Sequence, residues 1–421
     1  MDTLDEKNHV FNIRLAKIMG LYQILDPGTI KCRGKNIYHI AVASIVLYSC
    51  AVLMMLNVSG LYYWTVNMPI SVDYFWKAEI MVFICYKMWI VVHRSDDIWN
   101  CLSVTRYGLT SSGHRNNGHN NIIILDCWRE RSVWLTTVLA VAYLSALAVF
   151  IGSTLACSGE LITIKNHDGT SSQYHQNVLN FYLIVSDDTY NAHYITFYIV
   201  ETFSVVLLTI LFLIFDVLLV TLCLAMYGQM QMICVAFQSV GHEPLHDHPS
   251  PSDYTDEKKK IPNKHDLIYD ELITIIKDHQ AVMEKYKDIL AIISRVMLLQ
   301  VFVSLFMLIM PWFILIMSFS DVDRCSDSKV VIKNIIGSIP TFTFQILMLC
   351  YLFENLHNQK DSIIFALYRS NWTEMDMKCK KLILLTMKVN NAYHKKLRFT
   401  RTKIISLEMF FRMIVTQLYR F

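Results

Sequence analysis

The sequence predicts an all-α, polytopic membrane protein with seven transmembrane helices, a cytoplasmic N-terminus, an extracellular C-terminus and a helical cytoplasmic anchor region. Three observations carry this reading: composition, span lengths and the order of basic charge. Of 421 residues, 54% are hydrophobic, 12% aromatic and 17% charged, which is too apolar for a soluble chain. Seven apolar stretches long enough to cross a bilayer fall near residues 37–57, 72–93, 132–157, 194–224, 288–319, 331–353 and 404–420. The segments around them hold 6 basic residues (1–36), 0 (58–71), 5 (94–131), 1 (158–193), 7 (225–287), 3 (320–333) and 11 (354–403). High and low values alternate throughout. Lys and Arg stay on the cytoplasmic side during insertion, so the chain should begin inside and the seventh helix should end outside. G-protein-coupled receptors have the opposite orientation.

Each element follows in order. The first 36 residues contain Lys7, Arg14, Lys17, Lys31, Arg33 and Lys35 and no apolar run of signal-peptide length, so no cleavage is expected. The fourth span extends from Tyr194 to Gln229, longer than a bilayer requires at about 1.5 Å per residue, and should project into the cytoplasm. The polar, proline-containing stretch 241–264 reads as a loop. From Asp266, Ile268, Leu272, Ile275, Ile276, Met283, Tyr286 and Leu290 recur at helical spacing among charged residues. That amphipathic helix runs into the fifth span and is expected to pack beneath the membrane against residues 374–389; a membrane-surface helix is the alternative. Charge placed at Leu272 or Ile276 is expected to prevent assembly. Lys381 to Val389 is a further short helix, and the basic stretch 394–403 leads into the final span. Residues 1–353 thus comprise spans one to six with an outer-half ligand pocket and inner helical extensions. Residues 354–421 comprise the cytoplasmic anchor helix and the seventh span.

The formal net charge of +3 is too small to imply nucleic acid, and the basic residues are spread over inner segments where they meet lipid headgroups. His242, Glu243 and His246 spell HExxH, but Pro244 inside the motif and Pro249 and Pro251 after it prevent the helix that zinc chemistry needs. No nucleophile elbow, phosphate loop or dinucleotide fingerprint occurs, so neither an enzyme nor a cofactor is expected. Of the 11 cysteines, Cys157 and Cys325 lie at the outer surface, as a disulfide pair or two free thiols. Asn57 begins a glycosylation sequon at the outer end of the first span.

Charges inside spans are costly and mark candidate sites: Glu79, Lys87, Glu201, Asp216, Glu408 and Arg412, with Lys77 and Arg295 near enough to an interface to snorkel. Glu408 and Arg412 are spaced to pair, and with Thr416 and Gln417 they give the seventh span a polar stripe suited to a water-lined path. Aromatics crowd the outer halves of the spans. Phe75, Phe83, Tyr143, Leu147, Phe150, Tyr194, Tyr198, Ser338 and Phe342 are candidate walls of an apolar ligand pocket, with Tyr hydroxyls, Ser338 or Glu201 as polar contacts.

The C-terminal region resembles the insect odorant receptor family. Ala366, Tyr368 and Trp372 match its A-x-Y-x-x-x-W stretch, 381–387 its Leu/Met-rich segment, and Ser406-Leu407-Glu408-Met409-Phe410 the S-L-E-x-F opening of its last helix. The resemblance implies a ligand-gated cation channel whose subunits surround one pore lined by the seventh helix and passing cations, in the plasma membrane of sensory dendrites. It implies a small volatile ligand, such as an ester, terpenoid or pheromone, and a shared co-receptor subunit as partner in a heterotetramer. The segment between spans four and five lacks the co-receptor's long insertion, so the chain resembles the ligand-tuned subunit; its last helix ends sooner than is common in the family. The T-Y-x5-Q-F signature of gustatory receptors is absent. A gustatory-type homomeric channel, and a seven-helix receptor or transporter without a pore, are the alternatives.

Overall fold

A computed structural model describes residues 9–32, 34–110, 118–156, 161–182, 185–242, 264–320, 325–392 and 406–418; for several stretches, 325–341 and 413–418 among them, it describes the backbone only. The described chain is mostly helical. Two short helices, α1 (Ile13–Ile18) and α2 (Leu21–Leu25), lead through a two-residue ribbon, β1 (Lys31–Cys32) and β2 (Lys35–Asn36), into α3 (Ile37–Tyr63). Then come α4 (Met68–His93), α5 (Ser95–Cys101) and α6 (Gly118–Ala156). An antiparallel hairpin, β3 (Leu161–Lys165) and β4 (Ser171–His175), precedes α7 (Asp187–Ala192) and α8 (Tyr194–Ser239). The chain continues with α9 (Lys264–Ser320), α10 (Cys325–Arg369), α11 (Met377–Ala392) and α12 (Leu407–Leu418).

Asparagine side chains start the first two long helices: Asn36 Oδ1 accepts from Tyr38 N at 2.9 Å, and Asn67 Oδ1 from Ile70 N with a proline in the first turn. The bundle is built around α8, which packs against α4, α6, α9 and α10, while α3 lies on α4. Ile37–Tyr63, Ile122–Ala156 and Tyr194–Ser239 are long and apolar enough to cross a membrane. The most apolar window of α8 is 72% buried against 22% for the other two, which places α8 in the middle and leaves α3 and α6 with faces suited to lipid. The charges Asp73, Lys77, Glu79 and Lys87 keep α4 less apolar. The fold absorbs most of them: Lys77 pairs with Asp73, and Lys87 with Asp216 on α8.

The amphipathic stretch and the fifth span form one continuous helix, α9, and α8 runs past Gln229 to Ser239. Leu272, Ile275, Met283, Tyr286 and Leu290 are all buried, and α11 packs against both α9 and α10. The apolar stripe is therefore satisfied inside the chain rather than on a membrane surface. Leu272 is 1% exposed within the single chain, which corrects the expectation that it faces another subunit; charge there would break the fold first. Among the described residues, apolar side chains that remain exposed at this end include Phe365 and Tyr368 on α10 and Met377, Leu384, Leu385 and Val389 on α11. Helix α10 runs without a break from Cys325 to Arg369, carrying the sixth span into the inner helical region. Glu354 of α10 accepts from the Leu407 N–H at 2.6 Å, which ties the first turn of α12 to the bundle.

Candidate functional site

A cavity of about 450 Å³ opens among α4, α6, α8 and α10 in the half of the bundle nearest the β3–β4 hairpin. Its existence follows from α6. Ala142, Ser145, Ala146, Val149 and Ser153 recur at three- and four-residue steps, so one face of that helix carries little bulk and cannot fill the space opposite α4. Larger apolar groups complete the wall: Ile80, Met81 and Ile84 from α4, Leu147 and Phe150 from α6, Val205, Leu208 and Phe212 from α8, and Phe342 from α10. Leu179 of the segment after β4 closes one side.

The Leu179 segment is held by Glu201. Its buried carboxylate accepts from the N–H groups of Leu179 at 2.6 Å, Asn180 at 2.9 Å and Phe181 at 3.2 Å, and from the Tyr190 hydroxyl at 3.1 Å. Asn180 adopts a positive φ of 64°, the left-handed geometry that lets three successive N–H groups converge on one carboxylate. The Tyr74 hydroxyl donates to the Asn180 carbonyl from α4. Glu201 is thus taken up by three backbone N–H groups and the Tyr190 hydroxyl, where the sequence had suggested a contact for the ligand.

Beneath the cavity lies a buried polar cluster. Lys87 Nζ is 2.7 Å from Asp216 Oδ1, and both side chains have no exposed surface. The other carboxylate oxygen, Oδ2, accepts from the Tyr143 hydroxyl at 2.9 Å and from Gln345 Nε2 at 2.7 Å. The ammonium also sits over the rings of Phe212 at 4.1 Å, Phe83 at 4.7 Å and Phe215 at 5.0 Å. Tyr143 and Phe212 therefore belong to both the cavity wall and this cluster, which joins α4, α6, α8 and α10.

Of the sequence-derived pocket residues, Tyr143, Leu147, Phe150 and Phe342 line the cavity. Phe83 lies below it, edge-on to Phe212 at 6.3 Å. Phe75 turns the other way, beside Gly60 of α3 and edge-on to Trp64 at 6.0 Å. Tyr194 and Tyr198 sit toward the hairpin: Tyr194 faces His175 at 5.5 Å, and the Tyr198 hydroxyl donates to the Ile151 carbonyl. The Ser338 side chain lies outside the described residues. Sequence reasoning missed Trp76 and Lys77, which line the cavity and are 6% and 5% exposed. Lys77 does not snorkel; Asp73, one turn earlier at 2.6 Å, holds it in the bundle, and that i, i+4 pairing was the available signal.

Glu408 and Arg412 do pair across one turn of α12, at 2.5 Å, and both are largely exposed in the single chain. The side chains of Thr416 and Gln417, like Cys157, the Cys325 side chain and residues 243–246 of the HExxH match, lie outside the described residues. Asn57 lies within α3, its amide donating to Leu53 O at 2.9 Å, and Ser59 of its sequon is buried. Among the described residues no group of His, Cys, Asp and Glu could hold a metal.

The profile of the 7tm odorant receptor family matches residues 79–416. Comparison with curated proteins gives no significant match. Among solved structures, the fold is similar to the insect olfactory receptor OR5 from Machilis hrabei, at a TM-score of 0.67 with 11% identity, over 97% of this chain and 96% of that one. The same receptor in complex with eugenol matches with the same values.

Proposed function

Since the chain belongs to the odorant receptor family, whose members are membrane receptors rather than enzymes, we propose that it is the ligand-tuned subunit of an odorant-gated cation channel in the plasma membrane of sensory dendrites. The carrying observation is the apolar cavity whose wall residue Tyr143 is hydrogen-bonded to the buried Asp216. A small volatile gains affinity by leaving water: burying about 200 Å² of apolar surface contributes roughly 5 kcal/mol before binding entropy. The eugenol complex of OR5 supports a ligand of this kind. On this reading the N-terminus and the α11 end face the cytosol, the hairpin end faces outside, and seven helices span the membrane. They are α3, α4, α6, α8, α9, α10 and α12.

Ligand in the cavity touches Tyr143 and Phe212, so it bears on the Lys87–Asp216 cluster and, through Gln345, on α10. Helix α12 is capped by Glu354 of that same helix. Occupancy opens the pore only if the open state binds the ligand more tightly. Glu408, Arg412, Thr416 and Gln417 of α12 would line the pore, and exposed Phe365, Leu384 and Leu385 would join subunits in the anchor. A co-receptor subunit would complete the channel.

The test is expression with and without the co-receptor, read as volatile-evoked current. Leu147→Trp should fill the cavity and abolish the volatile response while current evoked through the co-receptor persists; Tyr143→Ala should shift potency or selectivity. A Leu147→Trp receptor that responds as the parent does refutes the site. Robust current from the chain alone refutes the co-receptor requirement and favours a homomeric channel, and uptake of the volatile without conductance favours a transporter.

A further inference from the structure

The cavity of about 450 Å³ is mostly apolar, so the few polar groups on its wall decide which ligands fit. Its hydroxyls are already committed as donors. Ser145 donates to Ala142 O, Ser153 to Phe150 O, Thr209 to Val205 O, and Tyr143 to Asp216. Two nitrogen donors differ. The Trp76 indole Nε1 is buried without a hydrogen-bond partner among the described residues. The Lys77 ammonium touches Asp73 Oδ2 at 2.6 Å in an ion pair that makes no aligned hydrogen bond. An ammonium carries three N–H donors, and among the described residues one carboxylate contact leaves others open. Buried donors without acceptors are costly, so a ligand that brings an acceptor removes a penalty present in the empty site.

We propose that the cavity selects neutral volatiles carrying a carbonyl oxygen (esters, ketones or aldehydes) and that Lys77 is the specificity-determining donor, with Trp76 as a second. A carbonyl offers two lone pairs and no donor of its own that needs satisfying. A carboxylate is disfavoured because Asp73 already neutralises Lys77, and a second anion would crowd it in an apolar site. A hydrocarbon leaves both donors unpaired. The inference rests on the cavity being the ligand site and adds the chemical class it accepts.

Matched probes test it on cells expressing both subunits: 2-octanone against 2-methyl-1-octene, in which a methylene replaces the oxygen, together with hexyl acetate, octanal and octanoate. The carbonyl members should activate on the order of 10- to 100-fold more potently than the hydrocarbon, and octanoate should be inactive. Lys77→Met should erase most of that preference, and Trp76→Phe a smaller part. Because Lys77→Met strands Asp73, the double variant Asp73→Asn/Lys77→Met is measured beside it, with surface expression and co-receptor-evoked current as folding controls. Equal potency of ketone and alkene, silence from every carbonyl member, or a carbonyl preference that survives in the well-folded double variant overturns the inference. Leu147→Trp separates the two readings. If it abolishes responses while the donor variants leave selectivity unchanged, the site stands and the donor role falls; if it changes nothing, the site itself falls.

Discussion

Removing one partner of the Lys87–Asp216 pair should destabilise the bundle far more than removing both. At 2.7 Å two unit charges attract by roughly 6 kcal/mol at an effective dielectric near 20. Desolvation offsets this by several kcal/mol per ion, so the intact pair contributes little net stability, but breaking it strands a charge at a cost of about 3–5 kcal/mol. The structure ranks the two single variants. In Lys87→Met, Asp216 keeps donors from Tyr143 and Gln345, so the loss should be near 3 kcal/mol. In Asp216→Leu, the Lys87 ammonium keeps, among the described residues, only the faces of Phe83, Phe212 and Phe215 and should cost nearer 5 kcal/mol. The double variant should lie within about 2 kcal/mol of the parent, giving a coupling of about 6 kcal/mol or more. Unfolding of purified protein in mixed micelles with increasing dodecyl sulfate measures all four. Additive losses, or single variants that each lose under about 1 kcal/mol, would show that the pair behaves like an exposed one and would sink the argument.

Three further outcomes are expected. His279, buried between Phe237 and the anchor helices, titrates at about 4 because burial, and then the charge of Lys360, disfavour its protonated form. Its free value of 6.5 is higher, so its share of stability is complete above pH 6.5 and is lost as pH falls toward 4, by roughly 3 kcal/mol in all. His9, lowered to about 4 by burial and Arg106, acts in the same direction, so His279→Gln should reduce the slope of stability against pH between 6.5 and 4 without abolishing it; an unchanged slope refutes the assignment. Glu at both Leu384 and Leu385, which are 58% and 57% exposed, should leave a folded chain that fails to assemble in size-exclusion chromatography, whereas Leu272→Glu should reduce the yield of folded chain. An epitope tag before Asp2 should be detected only after permeabilisation; labelling of intact cells would overturn the orientation.

Several features were legible in the sequence because they depend on local pattern. The helices could be located because apolar runs of bilayer length report themselves, and the continuity of α9 followed from an unbroken helical period from Asp266 onward. Glu408 and Arg412 could be paired because a helix fixes the geometry of residues four apart. The same rule would have found Lys77 with Asp73, had depth in the membrane not been taken as the deciding factor.

What tertiary structure alone decided concerns residues far apart in the chain. Lys87 and Asp216 were each recognisable as costly intramembrane charges, but their sequence separation of 129 hides that each neutralises the other. Glu201 read as a ligand contact because its charge is visible in the sequence, while the three backbone N–H groups that saturate it are not. An aromatic at an outer span position can point to either face, so Phe75 went to α3 and Phe150 to the cavity on helix rotation alone. The sequence by itself determined which segments are helices, because that depends on composition and period along the chain. Which face of each helix meets its neighbours, and so where the cavity lies and which charges pair beneath it, was decided only by packing.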